Sequence, residues 1–199
     1  MAVKNRKKTS LWLCRINAYG RQTACQAMKN IYLTGFMCAG KTSTGKILAR
    51  RLKRRFADSD LIVEKKAGMK ISKLVTTKGL KAFRDLETGA MREMAGKQGL
   101  VAALGGGIYP SRRWAKLLKT TGFTIYLHCL WAELEKRLKA ARGPRPRLRG
   151  NWEQARRRAK KLYSKRLPFY RLSDLIINTT GRTPAGTAAL IARKISSFK

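Results

Sequence analysis

Acid is what this sequence has least of. Ten Asp and Glu stand against 46 Lys and Arg, which leaves a formal net charge of +36 on 199 residues. A surplus of that size fits contact with nucleic-acid phosphates or another anionic surface. It also fits a general lysine and arginine bias on solvated helix faces. The positive residues are spread along the chain and not gathered in one tail or one recognition helix, so the second account is preferred. Histidine occurs once, at His128. The four cysteines, Cys14, Cys25, Cys38 and Cys129, have no paired or metal-type spacing. Together these scarcities exclude a zinc site and a disulfide framework, and the cysteines are expected as thiols in a reducing compartment. No apolar run approaches the roughly 18 residues of a membrane-spanning helix, the longest lying near Phe123 to Leu130. A soluble protein without membrane partners is expected.

What the sequence does have is enough apolar material for one core. Hydrophobic residues make up 44% of the chain, and a domain of this length buries about 70% of its unfolded surface. One domain with appendages is the expectation. Residues 1–27 carry Lys4, Arg6, Lys7, Lys8, Arg15 and Arg21 and no acid. A transit peptide would be richer in serine, and a secretory signal needs a longer apolar stretch than Leu11 to Leu13. A disordered extension or a start placed too early, with Met28 opening the domain, is preferred over targeting. The domain is set at 28–199.

From Asn30 onward short apolar runs alternate with helical stretches. Ile31 to Thr34, Arg55 to Ala57, Leu100 to Leu104, Thr124 to Cys129 and Leu175 to Asn178 read as strands. Alternation of this kind predicts an α/β fold with a five-stranded parallel sheet, helices on both faces, and ligands at the carboxyl ends of the strands. The segment Arg142 to Gly150 breaks helix and holds four arginines, a composition suited to a phosphate-facing lid over about 142–152 or to a plain basic loop.

The sharpest motif is Gly35-Phe-Met-Cys38-Ala39-Gly40-Lys41-Thr42, the eight-residue phosphate-loop pattern set between a strand and a helix. Its backbone N–H groups suit phosphate oxygens, Lys41 suits the outer phosphates, and the Thr42 hydroxyl suits Mg²⁺. Asp58-Ser59-Asp60 closes the second strand. With a period of two, both carboxylates face one way, one for Mg²⁺ through water and one to accept a hydroxyl proton; helix capping by Asp60 is the alternative. Arg84 and Glu87 lie three apart on one helix face. Gly105-Gly106-Gly107 follows a strand, where backbone can approach a small ligand. Arg166 in Arg166-Leu-Pro-Phe-Tyr170 is placed to grip a carboxylate with a two-pronged hydrogen bond.

In identity and order these motifs, with Arg145-Pro146, resemble the shikimate kinase family over about residues 28 to 198. The resemblance implies a P-loop kinase that moves the γ-phosphoryl group of ATP to the 3-hydroxyl of shikimate, as a cytoplasmic monomer using Mg²⁺. ATP would lie on Gly35, Cys38, Ala39, Gly40, Lys41, Thr42 and Ser43, with Arg182 and Pro184 at the adenine and Arg145 closing from the lid. Shikimate would be held by Asp60, Arg84, Glu87, Gly105, Gly106, Gly107 and Arg166, with Lys41, Asp60 and Arg145 catalytic and Thr42 and Asp58 at the metal. Two departures stand out: Cys38 where the family usually has glycine, and Arg147 after Arg145-Pro146 where it usually has leucine. The first is expected to crowd the phosphates and lower activity. Kinases of related architecture acting on gluconate, and a basic nucleic-acid binder that kept a nucleotide pocket, are the competing readings; plastid targeting competes with the cytoplasm.

Overall fold

The computed structural model describes residues 29–108, 112–141 and 151–197. Five strands, β1 (Asn30–Thr34), β2 (Arg55–Asp58), β3 (Leu100–Ala103), β4 (Gly122–His128) and β5 (Leu175–Asn178), form one sheet in the order β2-β3-β1-β4-β5, every pairing parallel. Parallel neighbours need long crossovers, and helices supply them: α1 (Lys41–Arg51), α2 (Ser59–Ala67), α3 (Ile71–Ala95), α4 (Arg112–Thr121), α5 (Trp131–Ala140), α6 (Trp152–Tyr170) and α7 (Pro184–Ser196). The expected strands are all present; Leu175–Asn178 has the expected ends, and the other four differ at one or both ends by at most two residues.

The middle of the sheet is dry. Every residue of β1 and β3 is buried, which explains why both read as unbroken apolar runs and not as alternating ones. Asn30 and Thr34 are the polar exceptions, and Asn30 is fully employed. Its amide nitrogen donates to the Met94 and Lys97 carbonyls at 3.2 and 2.8 Å, and its Oδ1 accepts from the Leu100 N–H at 2.9 Å. One side chain thereby ties the start of β1 to the turn between α3 and β3. At the other side of the sheet Asp174 does similar work, taking the Thr124 N–H and hydroxyl at 2.8 and 2.6 Å.

The main core surrounds the sheet, with Tyr32, Leu33, Leu48, Met91, Val101, Leu127 and Ile191 almost wholly buried. A second, smaller core of Val63, Leu74 and Ala90 joins α2 to α3. Within α3, Gly79 has φ 81° and ψ 170°, so the helix is two segments meeting at a kink that only glycine adopts without strain.

One expectation needs correcting. Strand period does not carry Asp60 to the side of Asp58, because β2 ends at Asp58 and α2 begins at Ser59. The cap of that helix is Asp58 and not Asp60: Asp58 Oδ1 accepts the Asp60 N–H at 3.0 Å.

Candidate active site

The phosphate loop leaves the end of β1 and turns into α1 by three left-handed or glycine-type backbone angles, at Gly35 (φ 144°), Cys38 (φ 61°) and Gly40 (φ 89°). Gly40 caps α1 without any side-chain hydrogen bond, and the first turn holds no acid. The N–H groups of that turn are therefore left for an anion, where the helix dipole also favours negative charge. Lys41 Nζ donates to the Gly35 and Phe36 carbonyls at 3.0 and 2.9 Å. Burial pushes its ammonium below the usual lysine range, and Asp60 and Asp58 push back.

Asp58 joins two elements at once. Besides capping α2, its Oδ2 accepts the Thr42 hydroxyl at 2.7 Å. A hydroxyl and a carboxylate oxygen beside the phosphate cavity are hard donors of the kind Mg²⁺ takes, and among the described residues no cluster of three or more His, Cys, Asp or Glu offers a protein-only cage. The donor set fits a cation that keeps phosphate and water ligands.

Asp60 opens onto the cleft, yet the walls around its carboxyl raise its pKa to about 6. Desolvation is the main cause, Lys41 opposes it, and Asp58 and Glu87 add to it. A carboxylate titrating there is tuned for proton transfer near neutral pH.

The acceptor side is gathered by the triple glycine after β3. A methyl group on Gly105 would sit 2.6 Å from Asp60 Oδ1, one on Gly106 would sit 3.0 Å from Arg166 Nη1, and one on Gly107 would sit 2.9 Å from Arg84 Nη1 and 3.4 Å from Arg166 Nη2. Three residues of bare backbone thus touch the proposed base and both guanidinium groups. Gly106 also lies beside the phosphate loop, its notional methyl 3.7 Å from the Gly35 carbonyl. Buried Glu87 makes an ion pair with Arg84, which lies over the Phe83 ring at 5.1 Å. Arg166 is itself buried.

Two cavities adjoin the phosphate loop. One of about 410 Å³ is lined by Cys38, Gly40, Lys41, Thr42, Ser43 and Arg137. The other, about 240 Å³, runs from Ala39 and Gly40 to Arg182 and Pro184 at the start of α7, again past Arg137. Every site residue expected from sequence falls in this region except Arg145, which lies with residues 142–150 of the expected lid outside the described residues, as do residues 1–28; the last two lid positions, Asn151 and Trp152, cap and begin α6.

Two participants were not legible. Arg137 borders both cavities, but with Glu133 at 2.8 Å it reads as an ordinary helical i,i+4 ion pair. Ser59 is fully buried and accepts the Gly105 N–H at 2.7 Å. Its position between two aspartates was the one available signal.

A sequence profile described as shikimate kinase matches residues 37–197. The shikimate kinase of Sulfurihydrogenibium sp. is 37% identical over 84% of this chain and 98% of its own length. That of Thermodesulfovibrio yellowstonii is 38% identical over 84% and 95%. Among solved structures, the Acinetobacter baumannii shikimate kinase in complex with shikimate superposes with a TM-score of 0.78 at 33% identity, covering 86% of this chain and 95% of the other. With a match this long, on a fold that sets the phosphate loop, Asp58 and Asp60, and the arginines of α3 and α6 around the glycine triplet, the chain belongs to the shikimate kinase family.

Proposed function

We propose that this protein transfers the γ-phosphoryl group of ATP to the 3-hydroxyl of shikimate, giving shikimate 3-phosphate. The observation that carries the reading is the meeting of Asp60, Arg84 and Arg166 on Gly105–Gly107, next to the phosphate loop. A small acceptor with one carboxylate and a reactive hydroxyl matches that set: two guanidinium forks for the acid, one poised carboxylate for the alcohol.

Lys41 exchanges its loop carbonyls for the β- and γ-phosphate oxygens. The α1 N-terminus and the loop N–H groups hold the remaining phosphate charge. Thr42, with Asp58 through water, would hold Mg²⁺, which when bound spreads the charge of the outer phosphates. Asp60 orients the acceptor hydroxyl and takes its proton as the oxygen attacks. Glu87 fixes Arg84, and the Gly106 N–H faces the substrate. Arg182 and Pro184 line the adenine end, and Arg145 is assigned to the transferring phosphoryl group. Little covalent work falls to the protein, so catalysis is positioning and electrostatics. We take the unit to be residues 28–199, acting as a monomer in the cytoplasm.

ADP release measured across shikimate, gluconate and nucleoside monophosphates tests this. Turnover that requires shikimate is expected; ATP binding without shikimate-dependent ADP release overturns it.

A further inference from the structure

The Gly105–Gly107 loop has no side chains with which to fix itself, yet the geometry above requires it to be fixed. Three hydrogen bonds do so. The Gly105 N–H donates to Ser59 Oγ at 2.7 Å. The Ile108 N–H closes a turn on the Gly105 carbonyl at 3.0 Å. The Tyr170 hydroxyl donates to the Gly106 carbonyl at 2.8 Å. Among the described residues nothing accepts from the Gly106 or Gly107 N–H, so both remain for a ligand.

The two side chains involved are rigid and come from elements far apart in sequence. Ser59 is the first residue of α2, with 0% exposure, between the two aspartates of the site. Tyr170 ends α6, is equally buried, and stacks on Tyr126 of β4 with ring centroids 5.2 Å apart at 25°. Its hydroxyl and Arg166, one helical turn earlier, flank the same glycine: a methyl group on Gly106 would sit 3.6 Å from the first and 3.0 Å from the second.

We infer that Ser59 and Tyr170 are positioning residues that clamp the glycine loop, so that its free N–H groups and the two arginines face one acceptor carboxylate. Neither touches the reacting atoms. Ser59 sets the loop against Asp60, and Tyr170 sets it against Arg166. Burial raises the Tyr170 pKa to about 12, so the clamp stays a hydrogen donor throughout the working pH range. The inference rests on the proposed function for the identity of the acceptor, and on geometry alone for the clamp.

Tyr170→Phe keeps the ring and its stack while deleting the donor; Ser59→Ala deletes the acceptor, and Ser59→Thr restores a hydroxyl. In the full chain, amide hydrogen exchange over residues 104–108 and steady-state kinetics are measured for each. Faster exchange is expected in Tyr170→Phe and Ser59→Ala, together with a shikimate KM about five- to tenfold higher and an unchanged ATP KM, while Ser59→Thr stays near wild type. Unchanged exchange and unchanged shikimate KM in both deletions overturn the clamp, as does an ATP KM that rises in step with the shikimate KM. Faster exchange in the variants of a protein that never turns over shikimate supports the clamp and overturns the proposed function instead.

Discussion

At the scale of single residues, the main confounder in so basic a protein is basicity itself, and the arginines that meet at Gly107 can be separated from it. Arg84→Ala and Arg166→Ala should each weaken the apparent affinity for shikimate by about 1.5–3 kcal/mol, with the ATP KM unaltered. Their double mutant should lose less than the sum, because both groups serve one carboxylate. Lys139, exposed on α5, is the control and should change neither constant. Asp60 gives a test by pH. Its folded pKa of about 6 lies above the ordinary 3.8, so the folded state holds the proton more tightly. The stability linked to that proton is complete below about pH 4 and is lost as pH rises through 6. Asp60→Asn should therefore melt like wild type in acid and above it at pH 8, while wild-type kcat/KM falls below pH 6. Cys38 is the residue where sequence and backbone disagree. Its φ of 61° lies in the left-handed region, which costs a residue with a Cβ about 1–2 kcal/mol. After allowing for the extra freedom of an unfolded glycine, Cys38→Gly should raise the melting temperature by about 2–4 °C. It should also lower the ATP KM, since the thiol side lines the phosphate cavity.

At the scale of elements, what was readable followed from burial. β1, β3 and β4 showed as apolar runs because both faces of a parallel sheet are covered, and the phosphate loop showed because its chemistry needs glycine at fixed intervals. The start of α2 was hidden because Asp-Ser-Asp extends a strand as readily as it caps a helix; in the fold Asp58 takes the Asp60 N–H with one oxygen and the Thr42 hydroxyl with the other, and the second partner is distant in sequence. The kink at Gly79 was hidden for a different reason: the apolar pattern of α3 continues through it, and only the backbone angle shows the break. The glycine triplet was legible as a close approach, but which groups approach depends on α3 and α6 arriving from 20 and 60 residues away on either side (residues 84 and 166). Asn30 was read only as a strand boundary. Since it satisfies the Leu100 N–H and two carbonyls, Asn30→Ala should cost about 3 kcal/mol, most of it from the groups left unpaired. A thermal melt should show a drop of about 6–12 °C.

At the scale of the molecule, the charge is a property of the whole. The ten carboxylates are already committed, three within the active site and the rest to ion pairs or to the Thr124 contact. Most of the cationic surface therefore repels itself, and salt should relieve it. Raising NaCl from about 20 to about 300 mM should increase the melting temperature and, by screening the attraction of anionic substrates, raise the KM for both ATP and shikimate. The sheet order has a consequence of another kind, for the chain as it is made. β1 is the first of the described strands to leave the ribosome and the one that waits longest for both its neighbours, β3 and β4. Until residue 128 has been added, Ile31, Tyr32 and Leu33 have at most one partner strand, and the nucleotide cleft lacks its far wall until Pro184 follows. Synthesis at about 5–20 residues per second leaves that apolar edge open for seconds. During that interval the growing chain carries a bare apolar strand, and only a chain that has passed Pro184 has both walls of its nucleotide cleft.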